Sequence, residues 1–324
     1  MLSAVLALLL LTALAARFWR RQLREVALQL GLGLTLCLFS TAQPVLMEFA
    51  KVRNHGSAPF HTPSMVFYTE SFKLVVALVV YGMQLPKLEY TGLEGLKPSS
   101  LLAFAVPALL YALSNNLNYY ALQLIDPPTY QLWGCAKLVF AGVFFRVLLG
   151  RRLTLRKWLA LCLLATGMAM TTVRSSDASA SDDGGRTSSR LRGIGLVLCT
   201  SALSGLSGCF NEWLIKFQDP KAPLMLKNVL LYGFGALMCF PGWKPTAPLG
   251  DPTLFVTLVV VQALTGLCVS FVLKYCDSLV KGFSTSGGVL VATILSCVLF
   301  GFELRTAFVV GFAVVVGAFY AYFM

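Results

Sequence analysis

Apolar runs of about 20 residues, each long enough to cross a hydrocarbon layer as a helix, recur along the chain. They lie near 26–48, 64–84, 99–122, 126–149 and 154–173, then near 192–215, 224–241, 252–273, 278–300 and 304–322. Between the two groups stands RSSDASASDDGGRTSSR, a Ser-, Asp- and Gly-rich stretch that predicts a disordered linker over 174–191. The pattern predicts an all-α polytopic membrane protein of about ten transmembrane helices. Residues 26–173 and 192–324 form its two five-helix halves, and residues 1–25 are an extra hydrophobic or targeting segment.

The halves resemble each other weakly without gaps. Asp126 pairs with Asp277, Gly150 with Gly301, Leu153 with Leu304, Ala112-Leu113 with Ala263-Leu264, and Val147-Leu148 with Val298-Leu299. Apolar segments match easily by chance, so the odd span count carries more weight. Five crossings per half would turn the second copy upside down, giving a five-plus-five inverted repeat of the kind transporters use.

Composition narrows the class. With 57% apolar and 12% charged residues, an ordinary soluble domain is excluded. The +12 formal charge does not indicate a nucleic-acid partner, because basic residues punctuate the ends of apolar runs, as in RFWRRQLR (17–24) and GRRLTLRK (150–157). That is the signature of cytoplasmic loops in a chain surrounded by lipid. It puts the start of the first core span, the 85–98 loop and the 150–157 loop on the cytoplasmic side. Arg174, Arg186, Arg190 and Arg192 oppose this, partly offset by Asp177, Asp182 and Asp183. Residues 1–16 read as either an uncleaved helix or an unusual targeting segment. Nine cysteines sit mostly inside apolar runs and read as packing residues, while His55 and His61 share one polar loop. Neither a metal nor a cofactor is implied.

The candidate chemistry is polar groups inside spans, of which an ionisable one costs about 3 kcal/mol and is usually functional. Glu70 and Lys73 lie three apart on one helix face and can pair. Lys137, about three turns into its span, has no local acid. It reads either as a cross-helix partner of Glu70 or Glu212, or as an anion site. Lys281 follows Asp277 by four residues, and both lysines precede small residues that let backbones approach. Asp126 before Pro127-Pro128 and Asp277 before Ser278 read as helix N-caps, whose bare N–H groups also favour anions. Tyr111, Asn115, Asn116, Asn118, Tyr119 and Tyr120 crowd one span, and Asn228 with Tyr232 lie four apart in another. Amides that can read a base edge, rings that can stack and lysines that can bind phosphate suggest a nucleotide-bearing solute.

These residues resemble the nucleotide-sugar transporters of the drug/metabolite transporter superfamily, in the CMP-sialic acid and UDP-galactose branch. The resemblance spans about residues 26–322 and is carried by TESFKL, LLYALSNNL, DPPTYQ with Lys137 six residues after Gln131, LSGLSGCFNEWLIK, LKNVLLYGFG and KYCDSLVKGFSTS. The DPPTYQ stretch is more similar to plant-type members. The resemblance implies ten helices in an inverted repeat, residence in the Golgi membrane or another endomembrane such as the ER, and exchange of luminal nucleoside monophosphate for cytosolic nucleotide sugar. It implies that Lys137 and Lys281 contact phosphate, and that Tyr111, Asn115, Tyr130, Ser204, Gly208, Asn228 and Tyr232 line the nucleotide cavity. Glu212 matches the acid of a Phe-Glu-Lys motif that reads Asn211-Glu212-Trp213 here, so the usual lysine is absent. Phe234 occupies a cavity position often small in CMP-selective members. Asn116, Glu70, Lys73, Asp126 and Asp277 are expected in secondary or structural roles.

Two other readings compete. A same-fold exporter of another small metabolite, such as a phosphate ester, would suit the missing lysine. An intramembrane transferase would need an Asp-rich metal–pyrophosphate motif within the spans. The paired Asp182-Asp183 lie in the linker instead, so the chain reads as a transporter and not an enzyme. A homo-oligomer is left open.

Overall fold

Helix starts follow the capping chemistry. Asp251 accepts from Thr253 N at 2.9 Å ahead of Pro252, and His61 Nδ1 accepts from Ser64 N at 3.3 Å ahead of Pro63. Asp277 accepts from Val280 N at 2.7 Å, as its place before Ser278 predicts. The computed structural model describes residues 2–53, 61–92, 94, 98–124, 133–172, 184–244, 251–300 and 306–323.

Ten α-helices lie among the described residues. They are α1 (Leu2–Arg53), α2 (Thr62–Gln84), α3 (Pro98–Leu124), α4 (Lys137–Leu148) and α5 (Leu155–Thr172), then α6 (Gly184–Lys216), α7 (Leu224–Cys239), α8 (Pro252–Tyr275), α9 (Ser278–Phe300) and α10 (Thr306–Phe323). Single 3₁₀ turns extend α2 and α7, at Leu85–Lys87 and Phe240–Gly242. Six stretches within these helices are long and apolar enough to cross a membrane, in α1, α2, α6, α7, α8 and α10. Burial runs opposite to that of a soluble protein. Val147, Leu155 and Val298 are each more than 70% exposed, whereas Glu212 is fully buried and Lys227 is 4% exposed. Apolar side chains face outward where lipid would solvate them, so the chain is a polytopic membrane protein.

One boundary differs from the expectation. The linker was expected to run to residue 191, but α6 begins at Gly184. Adding a turn to an existing helix satisfies its own backbone groups, so a polar flank propagates readily. Lys137, expected three turns into its span, is the first residue of α4 and follows a tight turn at Cys135-Ala136 with Trp133-Gly134 helical before it; residues 125–132, where that span was expected to begin, lie outside the described residues. Ala136 N bonds to Trp133 O and Leu138 N to Cys135 O, three-residue steps in place of four. At the N-terminus, α1 runs without a break from Leu2 into the first core span.

The most extensive helix pairs are α5 with α10, α3 with α6, α1 with α9 and α2 with α7. Next come α4 with α6, α1 with α8, α3 with α7 and α2 with α8. Small residues set the closest approaches. A Cβ on Gly205 would stand 2.9 Å from Ala141 N, and one on Gly288 would stand 2.7 Å from Cys37 O. A core of Leu138, Phe145, Leu161, Leu164, Phe283 and Val315 ties α4, α5, α9 and α10 together.

Polar contacts mark the two ends of the bundle. At one end Gln29 donates to Tyr275 O, Tyr90 donates to Asp219 at 2.9 Å, and Lys157 stands 5.1 Å over the Tyr322 ring. At the other end Arg53 pairs with Asp251 at 2.9 Å, and Lys244 N donates to Ser64 at 3.2 Å. The first end therefore gathers the loops between α2 and α3, α4 and α5, and α6 and α7, together with the C-terminal end of α10.

Candidate functional site

The site is built where α3, α4, α6 and α9 approach one another. Tyr111 of α3 lies close to Ser207 of α6 and to the Lys281 ammonium of α9. Ser207 also donates to Pro107 O at 3.4 Å, one turn before Tyr111. Gly208 leaves room beside them: a Cβ there would meet one atom within 4 Å, Lys281 Nζ at 3.9 Å. Lys137 has an exposed side chain and is close enough to Lys281 for the two charges to repel. Leu138 and Gly282, each one residue past a lysine, touch where α4 meets α9. The small residue after Lys281 thus allows the approach expected of it.

No ion pair to Lys137 or Lys281 occurs among the described residues. The acids proposed as cross-helix partners of Lys137 are engaged elsewhere. Lys73 Nζ bonds Glu70 at 2.5 Å, as the three-residue spacing predicts, and stands 4.5 Å over the Tyr232 ring. Two glycines seat this pair, Gly235 against the Glu70 carboxylate and Gly266 against the Lys73 stem. Glu212 bonds Lys216 at 2.7 Å and accepts from Ser278 N at 2.7 Å. The cross-helix pairing of Lys137 is therefore corrected, because both carboxylates have nearer cations on their own helices.

A second correction concerns the start of α9, whose bare amides were expected to favour an anion. Two of them are already taken: Glu212 takes Ser278 N and Asp277 takes Val280 N. Two carboxylates at that terminus satisfy these two donors from within the protein.

Asn228 and Tyr232 lie side by side in α7 but are buried. Asn228 donates to Ser270 at 2.9 Å and its Oδ1 has no partner, while Tyr232 donates to Gly266 O at 3.2 Å. Ser204 and Phe234 are half-buried. Asn115 and Asn116 lie on α3, but their side chains, like Asp126 and Tyr130 altogether, fall outside the described residues.

Three residues escaped the reading of the sequence. Ser207 sits between the candidates Ser204 and Gly208, and only the fold turns it toward Tyr111. Lys216 partners Glu212 from four residues on, a spacing visible in the sequence. Lys227, buried beside Asn228, donates to Leu214 O and Ile215 O and caps the end of α6.

Chemically, Glu70 is paired with Lys73 and Glu212 with Lys216, which leaves Lys137 and Lys281 as two formal positive charges with no ion pair among the described residues. The phenol of Tyr111 and the hydroxyl of Ser207 stand close to Lys281. An anionic solute with polar and planar parts suits that set.

Comparison with known proteins agrees with this chemistry. The family model for nucleotide-sugar transporters matches residues 25–323. The chain is 29% identical to the probable UDP-sugar transporter protein SLC35A4 of Xenopus tropicalis, over 94% of each chain. It is also 29% identical to CMP-sialic acid transporter 2 of Oryza sativa subsp. indica, over 87% of this chain and 80% of that one. The UDP-galactose translocator of Mus musculus is 32% identical over 68% of this chain and 58% of its own. A solved crystal structure shares the fold, with a TM-score of 0.64 at 14% identity, covering 91% of this chain and 97% of that one. A family match over nearly the whole chain, with an anion-suited interior in a helical membrane protein, makes this a transporter and not an enzyme: the chain belongs to the nucleotide-sugar transporter family.

Proposed function

We propose that the chain exchanges cytosolic nucleotide sugar, carrying a CMP- or UDP-type nucleotide, for luminal nucleoside monophosphate across an endomembrane, with the Golgi membrane favoured. The carrying observation is the convergence of Lys281, Tyr111 and Ser207 from three helices beside the exposed Lys137. Lys137 and Lys281 hold the phosphates, and Tyr111, Asn115, Tyr130, Ser204, Gly208, Asn228 and Tyr232 form the wall that reads the nucleoside. Since Asn228 and Tyr232 are buried, they act from that wall after the helices around them shift. The names of its relatives, CMP-sialic acid transporter and UDP-galactose translocator, support the substrate class.

Ten crossings in a five-plus-five inverted repeat are the architecture of this reading. Exchanging each helix for the one five places on maps the extensive pairs onto themselves. The pairs α2–α7 and α5–α10 are self-related, α3–α6 maps to α8–α1, α4–α6 to α9–α1, and α3–α7 to α8–α2. A pseudo-two-fold relation of this kind supports alternating access, in which the halves rock about a shared site.

Exchange follows from charge. A nucleoside diphosphate sugar carries about two negative charges, and a nucleoside monophosphate nearly two. Either ligand neutralises the two formal charges of the interior. An empty carrier would reorient with Lys137 and Lys281 uncompensated in a low dielectric, which is slow. The test is uptake by proteoliposomes of purified protein, across a panel of UDP-, GDP- and CMP-sugars. Saturable uptake of one nucleotide class supports the reading; no uptake of any of them overturns it.

A further inference from the structure

The knot around Glu212 is the feature that transport as described above does not use. Its carboxylate is fully buried and spans two helices, with Lys216 Nζ on Oε1 and Ser278 N on Oε2. Lys216 in turn donates to Cys276 O, the residue that ends α8. One acid and one lysine of α6 thus hold both sides of the α8–α9 joint. Among the described residues α6, α8 and α9 pack on one another, whereas their counterparts α1, α3 and α4 do not to a comparable extent. This is the end of the bundle that carries the basic loops.

Ser278 begins α9, and Lys281 lies three residues on, about 4.5 Å further along the axis. A carboxylate bonded to the first amide of a helix fixes both its height and its direction. The Lys281 ammonium also lies close to Tyr111 of α3. The position of that ammonium is therefore set at two points, by Tyr111 at its tip and by Glu212 at the root of its helix.

We infer that Glu212 is a positioning residue for Lys281: it clasps the first turn of α9 to α6, with Lys216 holding the joint, and so fixes the phosphate-facing ammonium. The inference rests on the proposed role of Lys281 toward phosphate. It also gives Lys216 the charge-balancing part that Trp213 cannot take.

The experiment uses the purified full-length chain in detergent, with CMP, UMP and GMP as probes. Affinities come from ligand-dependent thermal shifts for wild type, Glu212→Ala, Glu212→Gln, Lys281→Ala and the Glu212→Ala/Lys281→Ala pair. Hydrogen exchange of the peptide covering 276–284 is followed without ligand. Glu212→Ala is expected to lose protection at the Ser278 amide and to weaken nucleotide binding about tenfold. Glu212→Gln keeps an oxygen that accepts from Ser278 and retains most of the affinity. In the Lys281→Ala background, Glu212→Ala should weaken binding no further, since its effect passes through that lysine. Additive losses, or full affinity despite lost protection, would overturn the inference and leave Glu212 a purely structural acid. Should the alanine variant fail to fold, the cycle is run with Glu212→Gln, whose loss of about threefold must likewise vanish without Lys281. A wild type that binds none of the three nucleotides overturns the transport reading and the inference with it. The exchange data still report separately whether Glu212 holds α9.

Discussion

Leu138 of α4 lies against Gly282 of α9, so close that a methyl on the glycine would stand 3.1 Å from Leu138 Cδ2. Each residue directly follows a lysine in the chain, and the contact therefore brings Lys137 and Lys281 alongside each other. Two cations held together without an ion pair among the described residues repel, and an anion between them removes that repulsion. The expectations below follow from this pair and its surroundings.

Lys137→Ala and Lys281→Ala should each abolish transport while the protein still folds. Removing a cation that no carboxylate pairs with leaves no acid orphaned among the described residues. The lost charge-assisted contact corresponds to about 2 kcal/mol, or roughly a 30-fold loss of nucleotide affinity. Melting curves with and without nucleoside monophosphate measure both effects. Unchanged nucleotide-induced stabilisation in both variants would refute the phosphate role.

Lys73→Ala should behave in the opposite way. Lys73 is 8% exposed and bonds Glu70 at 2.5 Å, so its loss strands a carboxylate among α2, α7 and α8. Breaking such a pair costs about 3–5 kcal/mol. A large drop in melting temperature is expected, relieved by adding Glu70→Gln in the same chain. A variant that melts like wild type would show that the pair is not structural.

Gly167→Leu should separate α5 from α10. Even a Cβ at this position would lie 2.7 Å from Val315 Cγ2 and 2.9 Å from Gly311 O, which is backbone and cannot rotate away. Overpacking of this kind costs about 1–3 kcal/mol. Thermal unfolding in detergent checks it, and a melting temperature at or above wild type would contradict the packing described.

Topology is testable in sealed vesicles. The 150–157 loop and the C-terminus share one end, where Lys157 stands over Tyr322, and the positive-inside rule turns that end to the cytosol. Tags at residue 153 and after residue 323 should be cleaved by external protease, and a tag at residue 180 should be protected. Cleavage at 180 from outside would reverse the arrangement.

Obligate exchange is the kinetic expectation. Vesicles preloaded with the cognate monophosphate should take up nucleotide sugar many times faster than empty ones, and a preload with the wrong base should do much less. Equal initial rates from empty and preloaded vesicles would mark a uniporter and remove the charge-matching role of the two lysines.

Local chemistry was legible in the sequence. Apolar run length set the helices, because hydrocarbon demands one uninterrupted hydrogen-bonded segment per crossing. The Glu70–Lys73 pair and the Asp277 cap could be read directly, since three-residue spacings on a helix leave little freedom. What lay beyond reach was the choice of partner across helices. Glu212 could have answered Lys137, Lys216 or a helix terminus, and the sequence holds no distance between α6 and α9. Only the packing decided it, by bringing Ser278 N to 2.7 Å from the Glu212 carboxylate. The turn at Cys135-Ala136 was hidden for a related reason: nothing in an apolar run reveals where its backbone bonds shift from four-residue to three-residue steps. The sequence determined that lysines, phenols and amides would lie inside a membrane bundle. The tertiary structure decided which of them meet, because contact between helices depends on how side chains fit together and not on their order along the chain.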